Sequence, residues 1–143
     1  MENHAEITPA THRGSCHCGA LTFQVALDIS GGVSRCNCTI CTKVGASGAT
    51  VKPDAFKLLC DERALGTYRF SGFATRFFCK TCGIHAYSRG DIPELGGAFV
   101  SINCNCLDDV DLGQLAAIYW DGRHNNWQAG PRPTPWPIVA AAA

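Results

Sequence analysis

Ten of the 143 residues are cysteine, and they are clustered rather than scattered. Nine of them fall in Cys16-His17-Cys18, Cys36-Asn37-Cys38-Thr39-Ile40-Cys41, Cys79-Lys80-Thr81-Cys82 and Cys104-Asn105-Cys106, and Cys60 stands alone. Two environments sustain such a density of thiols: an oxidising one with disulfides, and a reducing one with metal. The start, Met1-Glu2-Asn3-His4-Ala5-Glu6, has neither the basic head nor the apolar core of a secretory signal. No stretch approaches the roughly eighteen apolar residues of a membrane-spanning helix. The expectation is a cytoplasmic chain, with some thiols held by metal and others buried free.

Other features narrow the class. The length suits one domain, and a content of 46% hydrophobic and 17% charged residues argues against disorder throughout. Lysine plus arginine equals aspartate plus glutamate at 12 each, so no basic excess offers a phosphate-binding surface, and no nucleic-acid partner is expected. Leu21, Phe23 and Val25 alternate with polar or small residues, which is a strand with one buried face. Residues 33–36, 49–51, 67–70, 75–78, 84–88 and 118–120 read as further short strands, and residues 90–97 as a loop around Pro93. Residues 99–106 form the longest alternating run, with Val100, Ile102, Cys104 and Cys106 on one face and Ser101, Asn103 and Asn105 on the other. Residues 111–117 allow a short helix capped by Asp111. Many short strands, frequent glycine turns and almost no helical period predict a mainly β fold.

The cysteine spacings carry chemistry. Cys79 and Cys82 have the two-residue gap that turns both sulfurs toward one ion, with Gly83 easing the turn. A closed tetrahedral site needs four ligands, and Cys16 and Cys18 can supply the other pair, pinning the first strand to the middle of the chain. Cys36, Cys38 and Cys41 place three thiols within six residues. Three protein ligands and an open position suit catalytic zinc, unless Cys60, His85 or Cys104 closes the site. Cys104, Cys106 and Cys60 read as core thiols. His17 points away from the metal, His85 is a strand histidine or a contact to metal ligand or substrate, and His4, His12 and His124 face solvent. Seven thiolates on two divalent ions leave an excess of negative charge, which Arg35, Asn37, Lys80, Thr81 and backbone amides can offset. Trp120, Trp127 and Trp136 either pack or cover a pocket or a dimer surface.

These residues also carry a resemblance. The run from Gly14 to Leu21 (Gly-Ser-Cys-His-Cys-Gly-Ala-Leu), the Cys36–Cys41 run, Tyr68-Arg69-Phe70, Phe78-Cys79-Lys80-Thr81-Cys82-Gly83-Ile84-His85, Ile102-Asn103, Cys106-Leu107-Asp108 and Asp121-Gly122-Arg123 resemble the glutathione-dependent formaldehyde-activating enzyme family, which includes the centromere protein V-like proteins. The resemblance implies an Mss4-like β-tent of stacked antiparallel sheets with two zinc sites. By position, Cys16, Cys18, Cys79 and Cys82 would hold structural zinc, and Cys36, Cys38 and Cys41 the catalytic zinc. It further implies a carbon–sulfur lyase whose small-molecule partners are a thiol such as glutathione and a small aldehyde such as formaldehyde, joined as S-hydroxymethylglutathione. A homodimer is compatible with this reading. The domain boundaries expected are a flexible N-terminus over 1–13, the zinc domain over 14–129 and a proline-rich, surface-lying tail over 130–143.

Overall fold

A computed structural model of the chain describes residues 9–139. Its elements in chain order are β1 (Ala10–Ser15), β2 (Thr22–Leu27), β3 (Val33–Cys36), α1 (Thr39–Val44), β4 (Gly48–Val51), β5 (Phe56–Leu58), β6 (Leu65–Tyr68), β7 (Ala74–Cys79), β8 (His85–Ile92), β9 (Gly97–Asn103) and β10 (Ala117–Trp120). They build two sheets. One is three-stranded in the order β1-β2-β5, and the other seven-stranded in the order β10-β3-β4-β9-β8-β7-β6. All pairings are antiparallel except β10 on β3, which is parallel, so the larger sheet is mixed. The mainly β class expected from the sequence is what the chain adopts, and two sheets carrying two cysteine clusters are consistent with the Mss4-like β-tent.

The alternation of β2 buries Phe23, Val25 and Leu27 together with Leu21. Opposite them, Tyr87, Val100 and Ile102 are buried from β8 and β9. An aromatic chain ties the two sheets: Phe23 stacks on Phe56 at 5.5 Å, Phe56 meets Tyr87 at 4.5 Å, and Tyr87 lies parallel to Phe77 at 4.7 Å. Burying each such side chain contributes about 1.5–3 kcal/mol. Gly14 pairs with Phe23 across β1 and β2, and any Cβ there would run into the Phe23 ring, so the ring lies over bare backbone.

Several local expectations need correction. Residues 10–13 are not part of a flexible N-terminus. They pair with β2 in continuous register from Ala10↔Leu27 to Ser15↔Thr22. β1 is an edge strand whose outward residues are polar, which hid it from a hydrophobic pattern. Residues 90–92 extend β8, and the turn after it is completed by Gly96 and Gly97 with φ of 97° and 92°. The run over 99–106 ends as a strand at Asn103, and Cys104–Cys106 form a 3-10 turn. Residues 39–44, without helical period, form α1, ended by Gly45 in the left-handed conformation (φ 72°). Asp111 does cap a helical turn, accepting from the Gly113 amide at 3.0 Å, but only Leu112–Gln114 is helical. Within the tail, Tyr119 and Arg132 exchange backbone hydrogen bonds of 2.8 and 3.0 Å, and Trp136 Nε1 donates to Tyr119 O at 2.9 Å, so this segment is tied to β10. Residues 1–8, with His4, and residues 140–143 lie outside the described residues. No helix among the described residues is long and apolar enough to cross a membrane.

Candidate metal centres

Cys16 and Cys18 follow β1, Cys79 ends β7, and Cys82 lies in the turn before β8. Their four Sγ atoms lie within 4.8 Å of one another. Cys16 to Cys18 and Cys18 to Cys79 are both 3.6 Å. Metal–sulfur bonds of about 2.3 Å place the sulfurs of a tetrahedron about 3.8 Å apart, so this set fits a closed zinc-type site. Each pair rides on a turn finished by a left-handed glycine, Gly19 (φ 84°) or Gly83 (φ 79°), a conformation that strains other residues. Backbone amides point at the sulfurs: Leu21 donates to Cys16 at 3.3 Å, and Thr81 and Cys82 donate to Cys79 at 3.4 and 3.5 Å. Amide donation holds the Cys79 thiol below its usual range and brings Cys82 down to about 6. Cys18 moves the other way: an amide bond from Ala20 lowers it, but desolvation and the neighbouring sulfurs outweigh that and push it up to about 11. Two of the four sulfurs thus favour thiolate before any ion adds its charge, and a bound cation is what would ionise the set. His17 is exposed.

Cys36 ends β3, Cys38 occupies the N-cap of α1, and Cys41 lies within its first turn. Their sulfurs also lie within 4.8 Å of one another, and all three residues are half-buried. Hydrogen bonds from the Cys36 and Cys41 thiols push Cys38 well down, and contacts with Cys36 and then Cys38 push Cys41 up. Three sulfurs this close settle on one thiolate by themselves, and a soft divalent cation is what lets all three ionise. Among the described residues, no fourth Cys, His, Asp or Glu atom joins the three within that distance. The sequence candidates for a fourth position stand elsewhere. Cys60 packs against the core, Cys104 is fully buried with its thiol pushed up to about 11 by desolvation, and His85 stays outside the cluster.

Residues outside the cluster hold its loop. Asn37 Nδ2 donates to the buried Asp121 carboxylate at 2.8 Å, and His124 and Asn126 meet the same carboxylate at 2.7 and 3.2 Å. Asn37 Oδ1 accepts from the Arg123 amide at 2.9 Å, and Asn37 O from Arg123 Nε at 2.8 Å. These bonds, the one from Asn37 first, hold the Asp121 carboxyl below the usual range. Gly122 completes the fit: a Cβ there would lie 2.5 Å from Cys36 Sγ and 2.7 Å from the Trp127 ring. Sequence reasoning took Asn37 as a charge-softening neighbour and missed this latch, although Asp121-Gly122-Arg123 was the signal for it.

Residues 11–122 match the model of the family described as glutathione-dependent formaldehyde-activating enzyme. The chain belongs to this family. The matched span contains both cysteine clusters, Asn37 and Asp121. The crystal structure of a Rhodobacter sphaeroides protein, a Northeast Structural Genomics target, superposes with a TM-score of 0.64 at 27% identity, covering 76% of this chain and 99% of that one. In this member of the glutathione-dependent formaldehyde-activating enzyme family, cysteines of the three-cysteine cluster line three cavities.

The smaller cavity, about 170 Å³, is lined by Cys36, Cys41, Arg76, His85, Ser88 and Trp120 among others. Both ring nitrogens of His85 and Nε of Arg76 are buried and have no hydrogen-bond partner. Desolvation, with a lesser push from the Arg76 charge, brings His85 down to about 4, so its ring is neutral at neutral pH. Asn103 Nδ2 fixes the His85 carbonyl at 2.8 Å. Unpartnered buried polar groups call for an explanation, and here they sit beside the same sulfurs. The larger cavity, about 800 Å³, is lined by all three cysteines, Cys36, Cys38 and Cys41. Of the three tryptophans, Trp120 walls the smaller cavity and Trp127 the larger, while Trp136 and Trp120 line a third one, about 240 Å³, that also reaches Cys36 and Cys41.

Proposed function

We propose that this protein is a zinc-dependent enzyme of the carbon–sulfur lyase type, acting on the thiol adduct of a small aldehyde, such as S-hydroxymethylglutathione formed from glutathione and formaldehyde. The carrying observation is the three-cysteine cluster, with no fourth protein donor among the described residues and with its sulfur-bearing side chains lining adjacent cavities. On this reading the chain binds two zinc ions. Cys16, Cys18, Cys79 and Cys82 would hold the structural one, and Cys36, Cys38 and Cys41 the catalytic one. Zinc in the second site supplies a Lewis acid that favours a thiolate at neutral pH and polarises a carbonyl oxygen.

The chain's own residues account for the rest. The sulfur–carbon bond forms as the carbonyl π bond opens, and the thiol's proton ends on the new hydroxyl oxygen, so no oxidant or reductant is needed. Arg76, with its unpartnered Nε, offers fixed positive charge where the aldehyde oxygen becomes an alkoxide. His85, neutral and unpartnered in the same cavity, takes the thiol proton and returns it to that oxygen. Trp120 limits water on this side, and the Asn37–Asp121 latch keeps the sulfurs in place.

The test is exchange NMR on glutathione and formaldehyde with the zinc-loaded protein. Adduct formation and breakdown should be accelerated, and Cys38→Ser should abolish the acceleration. Exchange rates that the protein leaves unchanged for glutathione and for other small thiols would favour a non-catalytic two-zinc β module that binds a protein or small ligand.

A further inference from the structure

The larger cavity is built on a scale that the smallest aldehyde does not require. At about 800 Å³ it falls among sites for ligands of drug size. Its walls include Tyr68, Phe70, Phe73 and Trp127, which are 53%, 58%, 53% and 51% exposed. They come from two separate segments, the β6–β7 connection and the turn after β10, yet they converge on the same three sulfurs. Large exposed aromatic side chains gathered at one opening mark a binding surface.

Three of these side chains are held in place. Tyr68 and Phe70 stack at 5.8 Å with 23° between their planes, and the Arg76 guanidinium lies 5.6 Å from the centre of the Phe70 ring. Trp127 leans on Trp120 at 6.1 Å and donates Nε1 to Asn125 Oδ1 at 2.8 Å. The walls are thus set before a ligand arrives. The charged residues of the lining are Lys43, Arg76 and Arg123, all cationic, with no carboxylate among them. Glutathione's two carboxylates would also meet these cations, but its ammonium group would find no anionic side chain in this lining and it has no ring for the aromatic walls. A ring bearing an acid would find both aromatic walls and cations.

We propose that the larger cavity is the binding site for an aryl carboxylate, so that the adduct handled at Cys36, Cys38 and Cys41 carries an aromatic ring and an anionic group beside its carbon–sulfur bond. This rests on the reading that the three-cysteine site handles a thiol. The ring lies among Tyr68, Phe70, Phe73 and Trp127, the acid faces Arg123 and Lys43, which leaves Arg76 to the reacting oxygen, and the sulfur points at the three cysteines.

Calorimetric titration of the zinc-loaded protein with para-(sulfanylmethyl)benzoate, para-methylbenzoate and glutathione tests it. The aryl thiol should bind about tenfold more tightly than glutathione. A Phe70→Ala/Phe73→Ala variant should lose about tenfold for the aryl thiol and less than about twofold for glutathione. Both side chains are exposed, so the fold should survive; Phe70→Leu, which keeps the apolar surface and loses the ring, gives a second and milder reading in the same direction. Glutathione binding as tight as the aryl thiol, or a ratio the variants leave unchanged, overturns the proposal even if Cys38→Ser weakens every thiol. Aryl binding that depends on Phe70 and Phe73, with no gain from the thiol group, supports the cavity's assignment and removes the thiol chemistry instead. A dimer in sedimentation that the double variant dissolves, with no aryl binding, also overturns the proposal and makes the patch a contact between copies.

Discussion

The four-cysteine cluster joins parts of the chain that lie far apart, whereas the three-cysteine cluster draws on a single stretch. Cys18 and Cys79 are separated by 61 positions, while Cys36 and Cys41 fall within one strand end and one helical turn. A link closing a loop of the first length stabilises the fold by about 4 kcal/mol through the unfolded chain, and one closing a few residues by about half that. The clusters are also supported differently. The first is turned from within, by its own amides and by Gly19 and Gly83. The second has one such bond, from the Cys38 amide to Cys36 Sγ at 3.4 Å, and is in addition braced from outside, by Asp121 and Arg123 acting on Asn37. A cluster that ties distant segments is committed to stability, while one whose ligands are local and whose bracing is external can leave a position to a substrate.

The sharpest way to break this contrast is to remove one sulfur from each cluster. Cys79→Ser should lose about 3–5 kcal/mol, seen as a fall of about 10 °C or more in Tm and a sharp drop in soluble yield. Cys38→Ser should lose about 1 kcal/mol, shift Tm by only about 2–4 °C and drop one of two bound zinc ions by elemental analysis. Equal losses of stability in the two variants would erase the division of roles.

The next effect is smaller and falls on one cluster alone. Asp121→Ala removes the acceptor shared by Asn37, His124 and Asn126. Groups that orient metal ligands typically account for about 10–100-fold in metal affinity, and that loss is expected at the three-cysteine site. Competition with a chromophoric chelator should show one weakened ion and one unchanged. Weakening of both would mean that the latch holds the fold and not the site.

What the sequence made legible follows from how local each device is. The two-residue gap of Cys79 and Cys82, the Cys16/Cys18 pair and the three thiols of residues 36–41 are short-range patterns, and the sulfurs gather as those spacings suggested. The buried face of β2 was legible because alternation is local too. β1 escaped because an edge strand does not need an apolar face to be paired, and α1 because six residues with β-branched Thr39, Ile40 and Thr42 show no helical period. The Asn37–Asp121 latch spans 84 positions, and the unpartnered nitrogens of His85 exist only once β8 is packed. Patterns of spacing reveal ligands; the groups that brace them or face them come from tertiary contact.

His85 tests whether the two regions are as separate as they look, and its effect appears only as a trend with pH. It begins β8 just after the closed cluster's Cys82, yet lines the cavity beside Cys36 and Cys41. Burial lowers its pKa from 6.5 to about 4, so the folded chain holds it neutral while the unfolded chain protonates it first. Above that upper value both states are neutral and His85 leaves stability unchanged. As pH falls between the two values, the unfolded state takes up the proton, and stability declines by at most about one proton's worth per pH unit. His85→Gln removes this dependence. Thiolate protonation at the two clusters is common to both proteins, so the difference between their urea midpoints isolates the imidazole. The midpoints should run parallel above neutrality and converge or cross in mild acid as wild type loses ground. If they stay parallel, His85 keeps an ordinary imidazole pKa in the folded chain, and the desolvated cavity assigned beside the open site is lost while the stabilising role of the closed cluster stands.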